Sequence, residues 1–184
     1  MERVVSMETA PPLVATVRIR TASLASLASA TLVLVGDRIG DPGNAGTMLR
    51  SAEAAGADAV VFTSGSVDVF NPKVVRASAG ALFMVPVVVD VALSDALTTV
   101  GRRPIGTTSH RGANGAVSYL DADLTQPVAI VVGNEAHGLA DDAPVASWLT
   151  IPHAGRAESL NVAMAATVVL FEAARQRHVA ATTL

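Results

Sequence analysis

Two short runs, Thr31–Leu32–Val33–Leu34–Val35 and Val128–Ala129–Ile130–Val131–Val132, constrain the fold more than anything else in the chain. Neither shows the polar alternation of a half-solvated strand, so each reads as a strand covered on both faces. Such strands belong to parallel sheets whose crossover helices lie on either side. The rest of the chain fits that scheme. Ala59–Val60–Val61–Phe62 is a further strand, Phe83 to Val89 holds another broken at Pro86, and Pro104–Ile105–Gly106–Thr107 and Leu149–Thr150–Ile151 are short ones. Helices are expected at Ala45 to Ala55, capped by Asn44 and stopped by Gly56, and after Asn71–Pro72. Two more are expected at Leu93 to Val100 and Leu160 to Arg177. The expectation is an α/β domain over residues 30–184, a parallel sheet with helices on both faces. Residues 1–29 read as a linker or the remnant of a preceding domain. They hold a Pro11–Pro12 break, a short extended run at Leu13 to Val17 and a weak helical turn or linker within Thr21 to Ser29.

Composition narrows the function classes. A hydrophobic share of 51% in 184 residues excludes a disordered chain and suffices for a real core. The absence of cysteine excludes a disulfide scaffold, a thiolate metal site and a cysteine nucleophile. Four histidines without ligand spacing give no support for a metal, and none is expected. A formal charge of -3 provides no general affinity for phosphate, so a nucleic-acid role must rest on a local site or another domain. The longest apolar runs fall well short of the roughly 20 residues of a spanning helix, and the N-terminus has no signal pattern, so a cytoplasmic protein without a membrane is expected.

Ligands of parallel α/β sheets bind at the carboxyl ends of strands, which singles out three loops. In the first, Gly40, Gly43 and Gly46 precede Arg50, but neither a dinucleotide G-x-G-x-x-G nor a phosphate-binding G-x-x-x-x-G-K-[ST] is present. A nucleotide-dependent dehydrogenase therefore lacks its fingerprint. Asn44 stands at the loop mouth, and Arg50 is either an anion ligand or a solvated helix arginine. In the second loop, Gly133 permits close approach to backbone amides. Glu135 is either a site carboxylate or a carboxylate at a helix N-terminus, and His137 reads as a surface residue. In the third, Ser159 and Asn161 stand at a helix start, where capping accounts for one of them but not both. The helix beyond is apolar nearly all round to Phe171, which implies burial, part of it against a second subunit.

Taken in order, N-x-G-x-x-x-R (Asn44, Gly46, Arg50), G-N-E-x-x-G-L (Gly133 to Leu139) and I-P-x-x-G-x-x-x-S-L-N (Ile151 to Asn161) resemble the three motifs of the SpoU/TrmH family. These are RNA ribose 2′-O-methyltransferases of the SPOUT class. The resemblance covers about residues 30 to 178 and is strongest to bacterial 23S ribosomal RNA enzymes. It implies a C-terminal deep trefoil knot, S-adenosylmethionine as cofactor, an RNA substrate and a homodimer with the site near its interface. Carried over by position, Thr107, Gly133, Ile151 and Leu160 would border the cofactor. Asn44, Arg50, Glu135, Ser159 and Asn161 would form the catalytic set. His153 departs from the family, which usually has Met there. Transfer RNA is the alternative substrate, and a non-catalytic RNA- or cofactor-binding relative the alternative function.

Overall fold

A computed structural model describes residues 16–109 and 115–182. Most of the Leu13 to Val17 run lies outside the described residues. The sheet has seven strands: β1 (Leu32–Gly36), β2 (Ala59–Thr63), β3 (Val87–Val91), β4 (Arg103–Thr108), β5 (Val117–Ser118), β6 (Val128–Val132) and β7 (Ser147–Thr150). Their order is β3-β2-β1-β6-β4-β7-β5, and every pair is parallel. β1, β2 and β6 are buried at every position. Alternate residues nonetheless go to different cores. Leu32, Leu34, Val60, Phe62, Val128 and Ile130 pack on the side of α1 (Pro42–Ala54), α2 (Pro72–Ala77) and α4 (Val162–Thr182). Val33, Val35, Val61, Ala129 and Val131 pack on the side of α3 (Leu93–Val100) and a 3-10 turn at Leu24–Leu27. The aliphatic runs are continuous because both faces of each strand are core.

Several boundaries differ from the sequence expectation, each for a local reason. α1 starts at Pro42, and its cap is Asp41, whose carboxylate accepts from the Asn44 N–H. Asn44 is thus inside the first turn, and its side chain is released for other work. Residues 83–86 do not join the strand; Ala81–Phe83 form a 3-10 turn, and Pro86, lacking an N–H, precedes β3. Of Ser159 and Asn161, only Asn161 caps α4, accepting from the N–H groups of Ala163 and Met164. α4 is not buried all round: Ala163, Ala166, Val169, Leu170 and Ala173 face the core, while Met164 and Phe171 are about half exposed. β5, two residues long, carried no recognisable strand signal.

The carboxyl-terminal third of α4 anchors the chain entering β6. Gln176 accepts from the Leu124 N–H and donates to Ala122 O. Arg177 donates to Leu124 O, Gln126 O, Thr31 O and Thr31 Oγ1 at 2.9–3.1 Å. No described helix is long and apolar enough to cross a membrane.

Candidate functional site

β4, β6 and β7 end at one rim of the sheet, and the loops that leave them enclose a cleft of about 1170 Å³. Thr107, Gly133, Glu135, Ile151, Ser159 and Leu160 all line it, so residues of the second and third motifs share one cavity with the end of β4. Asn44, Arg50 and Asn161 do not line it.

The turn after β6 folds back on itself. Asn134 and Gly138 form an isolated bridge, with Gly138 at φ 67°. A Cβ on Gly133 would lie 2.2 Å from Gly138 C and Leu139 N. The glycine is therefore required by the returning backbone itself, a reason the sequence did not show. Gly46 is similar: a Cβ there would lie 2.4 Å from the Ala77 Cβ, so it lets α1 and α2 touch.

Glu135 joins two of the motifs. It accepts from the Gly40 N–H, the Asp41 N–H and Asn44 Nδ2 at 3.0–3.1 Å. It is thus a carboxylate at a helix N-terminus, but that of α1, ninety residues away in sequence. Asn44 Oδ1 in turn accepts from Asn161 Nδ2 at 2.8 Å, bringing in the third motif. Partial burial pushes the Glu135 carboxyl up, but the hydrogen bonds from Asn44, Gly40 and Asp41 outweigh it and hold it below the ordinary value of 4.5. Glu135 makes no hydrogen bond or ion pair with Arg50 and bonds to Asn44 instead. Arg50 is exposed on α1, and its guanidinium makes no hydrogen bond among the described residues. A half-buried contact, Ser51 Oγ to Thr167 Oγ1 at 2.6 Å, pins α1 to α4 beside it.

Two details of the cleft wall, the place of Trp148 and the hydrogen bond of Thr107, were not anticipated. Trp148, the only tryptophan, lines the cleft and packs its ring over Gly106, where a Cβ would sit 3.0 Å from two ring carbons. The Thr107 hydroxyl donates to Val131 O, so it ties β4 to β6 at their carboxyl ends. Among the described residues no group of acidic and histidine side chains could hold a metal.

Residues 31–171 match the profile of the SpoU rRNA methylase family. The chain is 38% identical over 156 residues to the 23S rRNA (uridine(2479)-2′-O)-methyltransferase of Streptomyces viridochromogenes, covering 77% of this chain and 51% of that one. It is 41% identical over 151 residues to the 23S rRNA (guanosine(2553)-2′-O)-methyltransferase RlmP of Bacillus subtilis, covering 79% and 58%. Among solved structures it is similar to an AdoMet-bound rRNA methyltransferase from Sinorhizobium meliloti, with TM-score 0.77 and 33% identity over 85% of this chain and 61% of that one. The chain thus spans between half and three-fifths of the length of these relatives.

Proposed function

Because the chain belongs to the SpoU rRNA methylase family, we propose that it transfers a methyl group from S-adenosylmethionine to a ribose 2′-hydroxyl of RNA, with 23S ribosomal RNA as substrate. The observation that carries this is the meeting of three motifs. Residues of the second and third motifs line one cleft together with Thr107, and hydrogen bonds from Asn44 to Glu135 and from Asn161 to Asn44 join the first motif to them. Relatives matched over most of this chain are 23S rRNA 2′-O-methyltransferases, and a similar structure holds AdoMet. The cleft suits such a cofactor: it is large enough for a nucleoside with a side arm, combines apolar Ile151 and Leu160 with polar backbone at Gly133 and Gly138, and has Trp148 in its wall.

The cofactor supplies an electrophilic sulfonium methyl, and the protein's part is to position the ribose and help its proton leave. A guanidinium is a donor-only group and supplies no general base. The role of Arg50 is a bidentate clamp on the phosphate next to the target ribose, so that the phosphate polarises the hydroxyl. Glu135, held ionised below its ordinary range, is a weak base at neutral pH and acts by fixing the loop before α1. Asn44 and Asn161 spend one amide hydrogen each inside the chain and keep one each for the nucleoside. Ser159, Thr107 and Leu160 complete the rim.

The same reading includes a deep trefoil knot in the C-terminal part, a homodimer and a division into a lead-in of residues 1–29 and a catalytic unit of residues 30–184. The knot is supported by β6 inserted between β1 and β4 and by the latching of Ala122, Leu124 and Gln126 to α4. The homodimer is supported by the exposed Met164 and Phe171 on α4; it would bring a partner's surface to Arg50.

Incubation with labelled S-adenosylmethionine and unmodified 23S ribosomal RNA, with transfer RNA in parallel, tests the proposal. Label in a 2′-O-methyl nucleotide of ribosomal RNA is expected, and label in transfer RNA alone would reassign the substrate. Arg50→Lys retaining full activity would refute the clamp.

A further inference from the structure

The carboxyl ends of β2 and β3 frame a second cleft of about 240 Å³, which the reaction above does not use. Its walls are mixed: Phe62 and Val69 are buried and Val67 and Val89 half-buried, with Thr63 and Ser66 between them. Asp68 and Asp90 border it. The register of β2 against β3 shifts after Phe62, so that Thr63 pairs with Val91 and Asp90 is the extra residue. Asp90 adopts φ 56°, and its carboxylate makes no hydrogen bond or ion pair among the described residues. Asp68 uses Oδ1 for the Phe70 N–H.

This cleft is built into the same loop system as the first. Ile39 N–H donates to Ser66 Oγ, Val67 N–H to Ile39 O and Arg38 N–H to Thr63 Oγ1. From the other side, Asn134 Nδ2 donates to Arg38 O at 2.8 Å. Arg38 overhangs the rim: its Cγ is 3.5 Å from where a Cβ on Gly65 would stand. Its side chain is 52% exposed, and only its Nε is engaged, with Asp37 at 3.1 Å.

The chemistry of these walls is selective. The space is below the roughly 300–1,000 Å³ of a small-molecule site and matches one flat nucleobase rather than a whole nucleotide. The apolar side chains of Phe62, Val67, Val69 and Val89 suit the faces of an unstacked base, the form in which single-stranded RNA is read. Ionised carboxylates only accept, so they select a base edge rich in N–H donors and reject phosphate. Guanine offers two adjacent donors, N1–H and N2–H, to one carboxylate. Uracil offers one, flanked by carbonyl oxygens that a carboxylate repels. A half-exposed arginine at the rim suits the attached phosphate.

We propose that this cleft is a second RNA subsite, taking a guanine base that flanks the methylated nucleotide, with Asp68 and Asp90 on its N–H edge and Arg38 on its phosphate. The proposal rests on the RNA-methyltransferase reading and deepens it. Titration of the full chain with guanosine 5′-monophosphate, followed by NMR, tests it directly. Shifts at the Gly65 and Ser66 amides and the Val67 and Val89 methyls are expected, with uridine 5′-monophosphate giving much smaller ones. Asp90→Asn, which keeps a residue tolerant of positive φ, is expected to weaken guanosine monophosphate binding at least about fivefold. Arg38→Ala is expected to weaken the monophosphate but not guanosine. Equal response to the two nucleotides, no response, or shifts confined to the larger cleft would overturn the subsite. Failure of the underlying reading shows separately, as no change in Trp148 fluorescence with S-adenosylmethionine and no methyl transfer.

Discussion

Replacing Glu135 by Gln isolates what its charge does. The substitution keeps the shape of the side chain, but one of the two oxygens becomes an amino group. Gly40 N–H points at one carboxylate oxygen, and Asp41 N–H and Asn44 Nδ2 at the other. The amide can satisfy either the single donor or the pair, and whichever is left faces an N–H group. One lost bond at an exposed site is about 0.5–1.5 kcal/mol, and a donor set against a donor adds to it, so about 1–2 kcal/mol is expected. For a chain of this length that is a fall in Tm of about 2–8 °C. The pH dependence follows from the direction of the shift. The folded pKa lies below 4.5, so the ionised form contributes its full stability above 4.5 and loses it as pH falls through the lower folded value. Urea unfolding of the two proteins at neutral pH and in strong acid should show the gap at neutral pH and its disappearance in acid. A gap that is constant with pH would mean the charge is irrelevant to the loop, and the account of Glu135 as its anchor would be wrong.

Other consequences are direct. Gly133→Ala places a Cβ 2.2 Å from backbone atoms of Gly138 and Leu139; the turn must open, and S-adenosylmethionine should no longer quench or enhance Trp148 fluorescence, whereas Gly155→Ala, with open space at its Cβ, should bind normally. Gly46→Ala gains about 1 kcal/mol of helix propensity but drives a methyl to 2.4 Å from Ala77 Cβ; since overpacking costs about 1–3 kcal/mol, thermal melts should show a net loss. Arg177→Ala removes four hydrogen bonds to Thr31, Leu124 and Gln126; a loss of about 2–4 kcal/mol is expected in urea unfolding, with methyl transfer at low temperature unchanged, and an unchanged midpoint would show that the latch contributes nothing.

Much of the site was legible because its residue types are demanded locally. Glycines at tight turns, an asparagine at the start of α4 and a carboxylate after a buried strand each announce a position, and their order announces a family. Their partners were not legible. Asn44 looked like a cap because it precedes an alanine-rich stretch; Asp41 took that role, and the freed amide turned to Glu135 and Asn161. Gly133 looked like room for a ligand, yet its own turn fills the space.

The chain alone determined the parallel sheet, since aliphatic runs without alternation are stable only where both strand faces leave water. It also singled out the loops whose residues meet at the larger cleft. Only the tertiary structure decided the order of the strands, the union of Glu135, Asn44 and Asn161, and the exposed face of α4. Each of these depends on contacts between residues tens of positions apart, and such contacts leave no periodic trace in the sequence they join.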